Sequence, residues 1–145
     1  MGIVREGLGF ERKKDPHSAI GIGRRALIEN WLEEMDIKNW VINEDYKINI
    51  KGNLFLSLKT TKEFPSFIQF KNVFGDFFIN GNKFISLRGC PYYIQGDFSC
   101  WNNNLDSLEY APSYVEGFFA CDQNRIKFTV EDVKKVCNVL GKIYV

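Results

Sequence analysis

Three seven-residue words recur at a fixed interval of 21 residues. Val73-Phe74-Gly75-Asp76-Phe77-Phe78-Ile79 is followed by Ile94-Gln95-Gly96-Asp97-Phe98-Ser99-Cys100, then by Val115-Glu116-Gly117-Phe118-Phe119-Ala120-Cys121. A repeat of this length constrains the chain to a solenoid, because one coil cannot bury its apolar face alone and must stack on its neighbours. Solenoids offer extended surfaces and are more often binders than catalysts.

Within each word, two apolar residues stand two apart: Phe77 and Ile79, Phe98 and Cys100, Phe119 and Cys121. That spacing sends both to one side of a short strand. In-register stacking then makes a parallel sheet with Phe77, Phe98 and Phe119 in a column through the core. Further apolar positions follow at Phe84 and Leu87, at Leu105 and Leu108, and at Ile126. An asparagine ends each strand, at Asn82, Asn103 and Asn124. Its amide both donates and accepts, which suits backbone groups of adjacent turns that lack a regular ladder. Gly75, Gly96 and Gly117 open the strands, where close backbone approach favours a residue without Cβ. Pro91 and Pro112 suit the return segment, which need not donate to a sheet.

The resulting patterns, F-x-I-x-x-N-x-F-x-x-L and F-x-C-x-x-N-x-L-x-x-L, resemble the leucine-rich-repeat family, whose consensus is L-x-L-x-x-N-x-L. The short period and the pairs Cys90-Pro91 and Ala111-Pro112 look most like compact bacterial and phage members. A more degenerate coil precedes the three words. Gly52, Leu54 and Leu56 match, but Lys59 stands where the asparagine would be, and Pro65, Phe67, Ile68 and Phe70 follow in the return.

The resemblance implies an α/β solenoid of about four coils in one domain over 1–145. Residues 1–49 form an N-terminal helical cap and hairpin, 50–128 the repeats, and 129–145 a C-terminal cap helix. Ile20, Leu27, Ile28, Trp31, Leu32 and Met35 give a helical stripe over 17–36 that starts near Asp15-Pro16. Gly21 and Gly23 leave open a break before a stronger helix from Arg24. Val41-Ile42 and Tyr46 to Ile50 flank a turn at Asn43-Glu44-Asp45. At the other end, Thr129 is a candidate N-cap with Glu131 and Asp132 in the first turn. Val133, Val136, Cys137 and Leu140 make an apolar face, Gly141 a helix stop, and Ile143-Tyr144-Val145 a short edge strand.

The formal net charge is +1, against the basic excess of a dedicated nucleic-acid binder. No apolar run is long enough to span a bilayer and no secretory leader is visible, so a cytoplasmic location is expected. The cysteines, Cys90, Cys100, Cys121 and Cys137, include no C-x-x-C pair, and His17 is the only histidine. No zinc site or other metal or cofactor is therefore expected. Cys100 and Cys121 share one repeat offset and should stack as buried thiols, with free thiols favoured over a bridge.

Strand positions facing away from the core define the candidate site: Phe55, Phe78, Trp101 and Phe118, with Asp76, Asp97, Asp122, Asn80 and Ser99. Large aromatics on an exposed sheet, rimmed by acids, suit a protein interface with a basic partner. The competing reading has residues 1–15 covering this face. The opening words Phe10-Glu11-Arg12, Asp15-Pro16 and Ile20-Gly21-Ile22-Gly23, with Ile42-Asn43-Glu44-Asp45, resemble small phage-encoded leucine-rich-repeat-like proteins. That implies a viral accessory protein acting in the cytoplasm of a bacterial host. The aromatic face, small size and lack of preorganised chemistry add the expectation that it binds and inhibits a host factor such as a defence protein. No converging titratable pocket, phosphate loop or nucleophile motif is present, so no catalysis is expected. The alternatives are a nucleic-acid-associated protein using Arg12, Lys13, Lys14, Arg24 and Arg25, a small-ligand binder between the N-terminal helix and the first coil, and a virion structural role.

Overall fold

The computed structural model describes residues 16–57 and 61–145, with side chains of the first helix described from Gly23 onward. Lys59 and residues 1–15 lie outside the described residues, as do the side chains of His17 and Ile20. The chain is a β-solenoid of about four turns with two helices and two sheets. Helix α1 (Pro16–Glu34) leads into an antiparallel hairpin of β1 (Trp40–Ile42) and β2 (Ile48–Ile50). Each coil then contributes two very short strands. These are β3 (Leu54–Phe55), β4 (Phe70–Val73) and β5 (Phe77–Phe78), then β6 (Tyr93–Ile94) and β7 (Phe98–Ser99), then β8 (Tyr114–Val115) and β9 (Phe119–Ala120). Helix α2 (Val130–Val136) precedes β10 (Asn138–Val139) and β11 (Ile143–Tyr144).

The expected single parallel sheet is in fact two. One runs β1-β2-β4-β6-β8-β10 and the other β11-β9-β7-β5-β3, and every pair except β1–β2 is parallel. Val73, Ile94 and Val115 do not precede the strands; they stand in strands of the first sheet, fully buried. Tyr93 and Tyr114 stand in the same sheet, where their rings lie 5.8 Å apart.

The corner between the sheets is made by glycine. A Cβ on Gly75 would stand 2.5 Å from the Gly52 carbonyl, and one on Gly117 would stand 2.6 Å from the Gly96 oxygen. The absence of Cβ lets Gly96 N–H donate to Gly75 O at 2.9 Å and Gly117 N–H to Gly96 O at 2.8 Å. Beside this column runs a side-chain ladder. Asn53 Oδ1 accepts from Asp76 N–H at 2.7 Å, Asp76 Oδ1 from Asp97 N–H at 2.8 Å, and Asp97 Oδ1 from Phe118 N–H at 2.8 Å.

At the far end of each second-sheet strand the asparagines form their own ladder. Asn103 Nδ2 donates to Cys100 O in its own coil and to Ile79 O in the previous one, both at 3.0 Å, while its Oδ1 accepts from Phe84 N–H at 3.0 Å. Asn124 repeats the pattern one coil on, toward Cys100 O, Cys121 O and Leu105 N–H. Residues just past the strands, Gly81, Asn102 and Gln123, share a positive φ of 72°, 58° and 59°, so the turn repeats with the period even without glycine.

Inside, Phe77, Phe98 and Phe119 are fully buried and aligned. Phe77 and Phe98 stack at 6.2 Å, and Phe98 meets Phe119 edge-on at 4.8 Å. Burying each such ring contributes about 2–3 kcal/mol. Phe64, Phe70 and Phe84 extend the cluster, and Trp31 of α1 packs edge-on against Phe64 at 6.0 Å. Helix α1 is not broken at Gly21 or Gly23. Leu27, expected in its apolar stripe, is exposed, and the buried face is Ile28, Trp31 and Leu32.

Departures concentrate at the C-terminal end. Ile126, expected inside, is exposed, and Phe128 is buried in the core. Helix α2 starts at the expected N-cap Thr129, which forms a capping box with Asp132, but it ends at Val136. Val136 and Leu140 are exposed. Gly141 is not a helix stop. It occupies the corner column, donating to Gly117 O at 3.0 Å. Thus α2 is the return segment of a coil, and Val139 and Ile143 pair with Val115 and Phe119 as a further turn.

Replacing Asn103 with alanine leaves the buried Phe84 N–H without its acceptor, at about 1–3 kcal/mol, while Ile79 O and Cys100 O keep the amides of Asn82 and Asn124. Asn103→Ala should therefore lower unfolding stability by about 1–3 kcal/mol with an unchanged urea m-value. A loss below about 0.5 kcal/mol would contradict the ladder.

Candidate functional site

The outward face of the second sheet carries Phe55, Phe78, Ser99, Ala120 and Tyr144 in register. Large residues stand at both ends of this row and small ones in the middle. Phe118 comes from the corner position that holds Asn53, Asp76 and Asp97 in earlier coils. Its ring reaches over the small residues to within 6.0 Å of Phe78 and meets Tyr144 edge-on at 5.5 Å. Ser99 and Ala120 are consequently buried despite facing outward.

Two residues beyond the strands, a second row holds Asn80, Trp101 and Asp122. The Trp101 backbone N–H donates to Ser99 Oγ at 3.4 Å, and the residue is 40% exposed. Together these rows enclose a shallow concavity of about 430 Å³, lined by Phe78, Asn80, Ser99, Trp101, Phe118, Ala120, Asp122 and Tyr144.

Most of the residues expected to form the site thus surround one depression. Phe55 lies beside it, its ring 5.1 Å from Phe78. Asp76 and Asp97 do not line it. Each spends a carboxylate oxygen on a backbone N–H one coil away, so they are first of all corner supports. Tyr144 is absent from the expected set: the sequence reads Ile143-Tyr144-Val145 as a short edge strand, which β11 is, without placing it in register with Ala120. The signal was present: Val139-Leu140-Gly141-Lys142-Ile143 repeats the spacing of Val115-Glu116-Gly117-Phe118-Phe119.

Of the basic set, Arg12, Lys13 and Lys14 lie outside the described residues. The guanidinium groups of Arg24 and Arg25 lie 4.5 and 5.9 Å from the centre of the Tyr46 ring, so both face the hairpin. Among the described residues, no cluster of three or more His, Cys, Asp or Glu side chains is placed to hold a metal ion, and no helix is long and apolar enough to cross a membrane. No family model, curated protein or solved structure matches the chain.

The four cysteines are unbridged and buried. Burial pushes the thiols of Cys121 and Cys137 up to about 12 and holds that of Cys100 well above its usual value. None is poised as a nucleophile. Unfolded thiols ionise near pH 8.5, so above that pH the unfolded chain releases protons that the folded chain retains. Stability should be fully present below about pH 8.5 and fall toward about pH 12. In urea titrations between those values, the double variant Cys100→Ala/Cys121→Ala should show a shallower decline than the native chain. Parallel declines would contradict burial of the thiols.

Proposed function

We propose that the chain is a non-catalytic protein-binding module of leucine-rich-repeat type that docks its partner on the second sheet. The observation carrying this is the concavity, in which aromatic rings from separate turns, Phe78, Trp101, Phe118 and Tyr144, rim a floor of Ser99 and Ala120. Exposed aromatics around a preformed depression match the anchors that dominate protein interfaces. Asp122 is the one carboxylate in the lining. Acids at and near the face fit a partner with a basic surface.

The narrower reading is a phage accessory protein that inhibits a host factor, such as a defence protein, in the host cytoplasm. It draws on the resemblance of the opening words and of the compact repeats. A rigid face with preorganised anchors suits an inhibitor, since little ordering entropy is lost on docking.

The test is affinity capture from a lysate of the source cells, comparing the native chain with Phe78→Ala/Trp101→Ala. Neither ring is in the buried core, so the variant should fold normally by circular dichroism. The expected outcome is a protein retained by the native chain and depleted about tenfold or more by the variant, as for loss of interface anchors. Equal retention by both would overturn the proposed face.

A further inference from the structure

We propose that the concavity accepts the side chain of an arginine presented by the partner. This rests on the protein-binding reading and specifies what the face recognises. The rim supplies ring faces in several orientations, with Phe118 at 33° to Phe78 and 89° to Tyr144. A planar guanidinium stacks on such faces and is attracted by their negative quadrupole.

Tyr144 already carries out this chemistry within the chain: the Lys142 ammonium lies 5.1 Å from its ring centre, outside the lining of the depression.

Charge selects among occupants. Asp122 is the only charged residue in the lining. The Asp97 carboxylate, outside the lining, accepts from the backbone N–H of Phe118, whose residue lines the depression. An apolar side chain seated here would desolvate Asp122 without a partner, which is costly, and a phosphate would be repelled. A guanidinium instead meets the carboxylate with paired N–H donors, and another of its donors finds an acceptor on Asn80. A lysine ammonium would satisfy the charge but neither the fork nor the stacking.

The test titrates the intact chain with the peptide Ac-Ala-Arg-Ala-amide and with its citrulline analogue, which keeps the shape and removes the charge. Binding is read by NMR at the Trp101 indole N–H and the Tyr144 ring. The arginine peptide should give saturable shifts at millimolar concentration. The citrulline peptide should bind about fivefold more weakly or worse, for want of the cation–π and charge-assisted contacts. Asp122→Asn should weaken the arginine peptide about threefold or more and leave the citrulline peptide unchanged.

Equal response to both peptides, no shift at Trp101 with either, or larger shifts with the neutral disaccharide cellobiose would overturn the proposal. If Phe78→Ala/Trp101→Ala loses the captured partner while Asp122→Asn keeps it and citrulline matches arginine, the docking face stands and the arginine assignment falls. If the arginine peptide binds as expected but the native chain and Phe78→Ala/Trp101→Ala capture the same proteins, the macromolecular reading falls alone.

Discussion

The structure depends on backbone stacked on backbone at one corner. Gly75, Gly96, Gly117 and Gly141 succeed one another so closely that a Cβ on any of them would collide with the carbonyl or side chain of the coil before. The amides of Gly96, Gly117 and Gly141 each donate to the glycine carbonyl one coil before. This contact sets the turn between the sheets and fixes the register. With the register fixed, Phe77, Phe98 and Phe119 have one place to go, and the asparagines at the strand ends reach the previous coil at a constant distance. Strands of two residues have almost no ladder of their own. Side-chain ladders at the corner and at the strand ends provide what strand length cannot.

The candidate site arises where one ladder stops. Asn53, Asp76 and Asp97 each turn a side-chain oxygen toward the next coil. Phe118 takes up the last of these bonds with its N–H but carries no acceptor to pass on. Its side chain is free to lie along the sheet, and Ser99 and Ala120 are small enough to let it. The same substitution that ends a structural repeat therefore builds the wall of the depression. Trp101 and Asp122, one coil apart at the same offset, form another side.

The period, the phenylalanine column and the asparagine ladder were legible because each recurs at an unchanged interval and needs one residue type for one physical reason. The first sheet was not. Each of its later strands shows a single apolar residue, Ile94 or Val115, and a two-residue strand has no alternation to read. The last turn was hidden for a different cause: α2 lengthens the return, so Val139, Gly141 and Ile143 fall out of the 21-residue count and Gly141 passes for a helix end. Phe78, Trp101, Phe118 and Asp122 could be placed on one face by offset alone. The fate of Asp76 and Asp97 could not, because their partners are backbone amides a full coil away.

Through-hydrogen-bond scalar couplings measured by NMR test this account most directly. Couplings are predicted from the amide nitrogens of Gly96 and Gly117 to the carbonyl carbons of Gly75 and Gly96, at an interval of 21 residues. Couplings to other carbonyls, or rapid solvent exchange of both amides in the native state, would contradict the stacked corner and the face built upon it.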